Sequence, residues 1–419
     1  MNSPGAILLV ACYELGHQPL AVAWPAAFLE REGYLPAVMD LSVEPFDEAK
    51  VRRAQVILVS VPMHTALRLG VGVVRRARAL NPGAHIALYG LYASLNADYL
   101  LAHGADAVLG GEAEAALVDL VRALQAGDGH TVAGVARAGH PAGPNLVKLP
   151  FPVPSRAQLP PLEKYAHLER DGQRHLVGYV EASRGCRHLC RHCPIPPVYG
   201  GRFFVVPRQV VLADVRQAVA AGATHVTFGD PDFLNGPGHA LAVARALHAE
   251  FPALTFDCTA KVEHLLRDAC HLPELARLGC LFVVSAVESL SDTVLAALAK
   301  GHTRADVLQA VAAVRAAGIT LRPTWVPFTP WTMLGDYRDM LDFIAGERLI
   351  DAVDPVQYSI RLLVPPGSLL LASDAMRPYL GGLVAEDFYH RWTHPDPRME
   401  RLADEVAALV ARDTEAEED

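Results

Sequence analysis

The sequence predicts an α/β protein built from two βα arrays. The first is a doubly wound, Rossmann-like parallel sheet; the second holds six βα units and is followed by a C-terminal helical segment. Three observations predict this. Short, wholly apolar runs recur along the chain with helical stretches between them, as parallel strands buried on both faces require. A stretch rich in Gly, Pro and Ala, residues 126–161, has no sustained periodicity and separates the two arrays. With 419 residues and 51% hydrophobic content, the chain is too long for one small domain.

In order, Ile7-Leu8-Leu9-Val10 is the first buried strand, followed by a loop from Ala11 to Pro19 and an amphipathic helix through Trp24–Leu29. Further strands read at Leu35–Asp40, Val56–Val61, Ile86–Tyr89 and Ala107–Leu109. Ligands of such sheets bind beyond the carboxyl ends of the strands. Tyr13, Ser60, His64, Gly90 and Gly111 stand there as candidate binding residues, although Gly at a strand end also serves plain turn chemistry. Phe151-Pro152-Val153-Pro154 and Leu159-Pro160-Pro161 predict an extended connection. The second array has strands at Leu176–Glu181, His225–Phe228, Leu254–Cys258, Leu281–Val287, Ile319–Thr324 and Val356–Leu362. Six units are too few for a closed eight-stranded barrel. Pro397–Ala411 reads as one amphipathic helix. The expected divisions are 1–125, a linker over 126–174, a second domain over 175–370, and a helical extension over 371–419.

Charged residues make up 20% of the chain and the formal net charge is -9, so no global basic field draws in nucleic acid. Seven cysteines, an odd number, argue against a secreted disulfide framework and for a reducing compartment. Met1–Pro4 lacks signal-peptide features, and no apolar run approaches the roughly 18 residues of a membrane span. The expectation is a soluble cytoplasmic protein with neither a nucleic-acid nor a membrane partner.

The chemistry concentrates in Gly185-Cys186-Arg187-His188-Leu189-Cys190-Arg191-His192-Cys193-Pro194. Three cysteines at C-x3-C-x2-C, in a loop leaving a strand, place three thiolates around one small metal centre. Iron–sulfur clusters are usually held by four thiolates, and Cys12, Cys258, Cys270 and Cys280 are far away in sequence. One iron is then open to a small molecule. The alternative is a tetrahedral zinc completed by His188 or His192. Arg184, Arg187, Arg191, Arg202 and Arg208 crowd this loop, which suits an anionic cluster, a bound carboxylate or a solvated surface.

This spacing resembles the radical S-adenosylmethionine family, in which the open iron chelates the methionine part of S-adenosylmethionine. The first module is similar to the cobalamin-binding domain found ahead of many such enzymes, on Pro19–Ala23, Leu58-Val59-Ser60, Tyr89-Gly90 and Gly111-Glu112-Ala113-Glu114. It departs from methionine-synthase-type domains in lacking Asp-x-His-x-x-Gly, whose histidine ligates cobalt; His17, His64, His85 and His103 read as surface or pocket histidines. Pro194–Phe203 resembles the subgroup named for a Cys-Cys-Ala-Glu-Pro or selenocysteine-containing tail, although the chain ends without a tail cysteine.

The resemblance implies a partial barrel of six units with its site at the carboxyl ends of the strands. It makes Cys186, Cys190 and Cys193 the ligands of a 4Fe-4S cluster. His192 takes the position of an aromatic residue flanking adenine, or is an exposed loop histidine. Asp230 or Asp232 in Gly229-Asp230-Pro231-Asp232 holds the methionine ammonium by a charge-assisted hydrogen bond. Glu288 contacts the ribose, or is a carboxylate near a helix start with Ser289 and Asp292 as a capping box. Arg322 meets a carboxylate or is salt-bridged in the barrel. Lys300–Thr303 and Val364–Ser368 read as architectural, and Trp325 and Trp331 as pocket or core.

The implied activity is reductive cleavage of S-adenosylmethionine to a 5′-deoxyadenosyl radical, then cobalamin-dependent methylation of an unactivated position of a small molecule. The electron comes from a flavodoxin or ferredoxin type of reductant. The alternatives are a non-methylating radical enzyme with a degenerate cobalamin domain, or a non-enzymatic cobalamin or metal sensor, for which no output module is visible.

Overall fold

The computed structural model describes residues 1–127 and 132–418, with side chains to residue 412. The chain forms two compact units, Met1–Gly185 with Pro197–Thr227, and Cys186–Pro196 with Phe228–Asp419.

The first unit contains the sheet expected from the apolar runs. Strands β1 (Ile7–Ala11), β2 (Ala37–Asp40), β3 (Val56–Ser60), β4 (His85–Tyr89), β5 (Ala107–Leu109) and β6 (Val135–Ala136) pair in the order β2-β1-β3-β4-β5-β6. The first five are parallel, and β6 joins β5 antiparallel. Ile7, Leu8, Leu9, Val10 and Val56–Val59 are buried because helices cover both faces, which is why these strands carry no polar alternation. The order reverses between β1 and β3, and ligands of doubly wound sheets bind at such a switch point.

The stretch read as a linker is strapped to this unit. Arg156 makes a bidentate pair with Asp214 (Nε–Oδ1 2.6 Å, Nη2–Oδ2 2.8 Å) and donates also to Gln18 Oε1 and Tyr179 O. Tyr165 donates to Asp40 at 2.7 Å.

The second array supplies β7 (His167–Arg170), β8 (Gln173–Val180), β11 (His225–Phe228), β12 (Thr255–Thr259), β13 (Cys280–Glu288) and β14 (Thr320–Trp325). They form a six-stranded sheet in the order β14-β13-β12-β11-β8-β7, open at both edges, so the fold is a partial barrel. A separate ribbon, β9 (Ser183–Gly185) with β10 (Phe203–Val205), brackets the cysteine loop in sequence.

Two local expectations are corrected. Val356–Leu362 is not a strand. Asp354 caps a 3-10 turn over Pro355–Tyr358 by accepting from Val356 N at 3.1 Å, which leaves one bridge, Phe328 to Arg361, in place of a ladder. The extension expected as helical also carries an antiparallel hairpin, β15 (Leu380–Val384) with β16 (Tyr389–Trp392), before its helix Pro397–Glu418. Trp392 packs there with Leu362, Val364, Leu370 and Met376 around Val294 and Leu298. Among the described residues, no helix is long and apolar enough to cross a membrane.

Candidate functional site

Gly185 has φ 73, and a Cβ on it would sit 2.5 Å from the Arg202 carbonyl oxygen, so only glycine lets the chain turn here into the cysteine loop. Several contacts within the second unit then hold that loop. Arg187 N donates to Asn235 Oδ1 (3.3 Å), and the same oxygen lies 3.9 Å from Cys186 Sγ. Arg191 N donates to Leu298 O (2.9 Å), while Ser368 Oγ donates to Arg191 O (3.2 Å). His192 Nε2 lies 3.1 Å from Glu288 Oε1.

Burial pushes the Cys193 thiol up to about 12, with the neighbouring Cys190 and Cys186 adding to the rise. As a donor set, three thiols from one short loop fit an iron–sulfur cluster that bonds each thiolate to a different iron.

Among the described residues, Asn235 Nδ2 and His192 Nδ1 beside the loop are buried without a hydrogen-bond partner. Such atoms are costly unless a bound group answers them.

Glu288 ends β13 at φ 66, in the left-handed region that a non-glycine residue occupies only under constraint. The constraint is a bulge, since the register with β14 shifts between Ala286 and Glu288. Burial alone would raise its carboxyl pKa, but Lys300 (3.2 Å) and His192 outweigh it and hold the group at about 2. Lys300, read from sequence as architectural, is thus a buried cation within the site. The capping box does not form. Asp292 instead accepts from Arg304 N at 2.7 Å, and Ser289 Oγ accepts from Ser291 N.

Asp230 and Asp232 are both 2% exposed after β11. Asp232 caps Leu234 N (3.0 Å) and lies 2.7 Å from His264 Nδ1. His264 Nε2 meets His188 Nε2 at 3.0 Å, and Lys261 Nζ meets His188 Nδ1 at 3.1 Å. Burial, Lys261 and His264 lower the His188 pKa to about 4, so its ring is neutral near pH 7. His188, Asp232 and His264 have the proximity of a metal site, yet Lys261 and His264 already occupy both nitrogens of His188. Arg322 lies on β14 with its guanidinium 5.1 Å over the Phe282 ring. Trp325 is a core residue, 1% exposed and edge-on to Phe343.

In the first unit, Tyr13, Ser60, His64, Gly90 and Gly111 all follow or end parallel strands at the same edge of the sheet. His64 starts a helix and stands edge-on to Tyr92 (6.0 Å), and His17 stacks on Tyr179 (4.5 Å). Gly111 has φ 68 and would place a Cβ 2.2 Å from Asn145 O, so the chain's own packing requires it. Leu15 lies at this edge, 60% exposed and at φ 53. Arg184, one of the arginines near the cysteines, is not available to a cofactor. It is buried against Glu112, Glu114 and Glu181, with Trp24 and Phe151 at 5.2 and 5.0 Å from the guanidinium. Burial pushes Glu112 up to about 7, Glu114 adding to that rise and Arg184 opposing it.

Sequence reasoning missed Asn235, Lys261 and His264 and read Lys300 as architectural. Asn235 follows β11, Lys261 and His264 follow β12, and Lys300 follows β13, so nothing local in the sequence connects them to the cysteine loop.

A B12 binding domain matches residues 6–121, and the radical SAM superfamily matches residues 180–344. The radical S-adenosylmethionine methyltransferase TsrM from Kitasatospora setae superposes with a TM-score of 0.65 at 18% identity, over 82% of this chain and 70% of that one. The cobalamin-dependent S-adenosylmethionine radical enzyme OxsB, with aqua-cobalamin bound, gives 0.73 at 16% identity, over 95% of this chain and 66% of that one. At these identities the likeness is one of fold. A tRNA-2-methylthio-N(6)-dimethylallyladenosine synthase of Chlorobium luteolum is 25% identical over 214 residues, 48% of this chain and 46% of that protein, so the match spans under half of that relative.

Proposed function

We propose, for a chain that belongs to the radical SAM superfamily and joins a B12 binding domain to its radical SAM domain, that it methylates an unactivated position of a small molecule. Bound together, the 4Fe-4S cluster, S-adenosylmethionine and cobalamin supply reductive cleavage to a 5′-deoxyadenosyl radical and a transferable methyl group. Cys186, Cys190 and Cys193 hold the cluster. Glu288 and the Asp230/Asp232 pair bind S-adenosylmethionine, with His192 beside the adenine and Arg322 toward a carboxylate. Tyr13, Ser60, His64, Gly90 and Gly111 face the corrin within residues 1–125. The observation that carries the reading is the C-x3-C-x2-C loop, with buried unpartnered polar atoms beside it, in a chain that matches both a radical SAM and a B12 binding domain. A small substrate is favoured over nucleic acid by the net charge of -9, and a one-electron reductant of flavodoxin or ferredoxin type completes the system.

The test is anaerobic reconstitution with iron, sulfide and cobalt analysis. Alanine at any one of Cys186, Cys190 or Cys193 is expected to strip most iron and to abolish 5′-deoxyadenosine formation, while Cys270→Ala spares both. Stoichiometric zinc in the wild type, or full iron in the triple variant, would overturn the cluster assignment. Cluster and 5′-deoxyadenosine without cobalamin binding would replace methylation by a non-methylating radical reaction.

A further inference from the structure

We propose that Asn235 is a positioning residue for the cluster, donating its side-chain N–H to a sulfur of the centre that Cys186 helps to hold. It thereby sets how readily that centre accepts its electron. This rests on reading Cys186, Cys190 and Cys193 as the ligands.

Asn235 is fully buried at the end of the 3-10 turn Phe233–Asn235, which Asp232 caps. Its backbone N donates to Asp232 O at 3.1 Å, and its carbonyl accepts from Arg187 Nη1 at 3.3 Å, so the residue is fixed from both sides. Its Oδ1 accepts from Arg187 N. Flipping the amide would set its NH2 against that N–H, donor to donor, so the orientation is determined by chemistry. The amide nitrogen is then a buried donor with no acceptor among the described residues.

The neighbouring group is Cys186, whose sulfur lies 3.9 Å from Oδ1. A thiol there donates to the amide oxygen, but a metal-ligating sulfur is a thiolate and can only accept. Ligation therefore removes one donor from this corner and creates sulfur acceptors beside an amide that has a donor to give. Hydrogen bonds to the sulfurs of iron–sulfur clusters tune their reduction potentials, and each such bond favours the more negative, reduced state. The turn that holds Asn235 follows β11, so the donor is set by the barrel and not by the cysteine loop alone.

Asn235→Asp and Asn235→Ala separate the possibilities in the reconstituted full chain. The aspartate keeps an oxygen for Arg187 N and removes the donor; the alanine removes the donor without adding charge. Both are expected to retain iron. In a redox-buffered titration followed by electron paramagnetic resonance, the ratio of reduced to oxidised cluster at a fixed potential should fall about tenfold in the alanine variant and further in the aspartate. Pulsed resonance in deuterated water should show an exchangeable deuteron coupled to the wild-type cluster and lost in both variants. An unchanged potential in both, a shift confined to the aspartate, or loss of iron from both would overturn the proposal and leave Asn235 as an anchor of the loop. Failure of the underlying ligand assignment reads differently: Cys186→Ala would then keep its iron.

Discussion

Glu288 combines a left-handed backbone, a buried carboxylate and two nitrogen partners on one oxygen. Its pKa of about 2 lies below the ordinary value of 4.5. A depressed carboxyl stabilises the folded state above its unfolded pKa, and that contribution is lost as pH falls from about 4.5 through about 2. Glu288→Gln is therefore expected to flatten the loss of stability across this acid window, as seen by urea unfolding at stepped pH. At neutral pH the same variant leaves Lys300 a buried cation without its carboxylate and should cost about 3–5 kcal/mol. Affinity for S-adenosylmethionine should fall as well, measured by equilibrium binding to the cluster-loaded protein. Equal stability of wild type and variant at both pH extremes would show that the pair is not the anchor described.

At the scale of elements, the segment between the arrays behaves as a strap. Its composition reads as a linker, because Pro and Gly exclude regular hydrogen-bonded structure, and composition says nothing of what single side chains do. Arg156 decides the matter by gripping Asp214 with two parallel hydrogen bonds in a buried setting. Arg156→Met is expected to destabilise the first unit by about 3–5 kcal/mol, since Asp214 would stay buried and unpaired. Arg156→Lys should recover only part of this, because an ammonium lacks the planar fork. Thermal unfolding followed by circular dichroism tests both; a neutral methionine variant would mean the strap is not anchored there. The expected sixth strand shows the converse limit. Its β-branched and apolar residues satisfy a strand pattern, but Asp354 and Pro355 start a helical turn that local pattern alone did not outweigh.

For the whole molecule, the test is cobalt. Cobalamin is expected to bind with its tail base displaced from the metal and no histidine in its place. The Asp-x-His-x-x-Gly string is absent, His17 is stacked on Tyr179, and His64 is set edge-on to Tyr92. The Co(II) form should then show cobalt lines without nitrogen triplets in its electron paramagnetic resonance spectrum. Triplets that vanish in His17→Ala or His64→Ala would identify a protein ligand and reverse this account.

By itself the sequence determined the two βα arrays, through apolar runs that only doubly covered strands carry, and singled out the loop proposed to hold the cluster, through three cysteines within eight residues. Both signals are local: strand burial and ligand spacing are set by neighbours in the chain. The tertiary structure decided what surrounds that loop. Asn235, Lys261, His264, Glu288 and Lys300 come from four separate segments, and their meaning lies in distances near 3 Å between atoms up to about a hundred residues apart in sequence. It also separated arginines that look alike on paper. Arg184 is consumed by three glutamates, whereas Arg187 is held at Asn235, because burial and partner geometry depend on how strands far apart in sequence are brought to one end of a sheet.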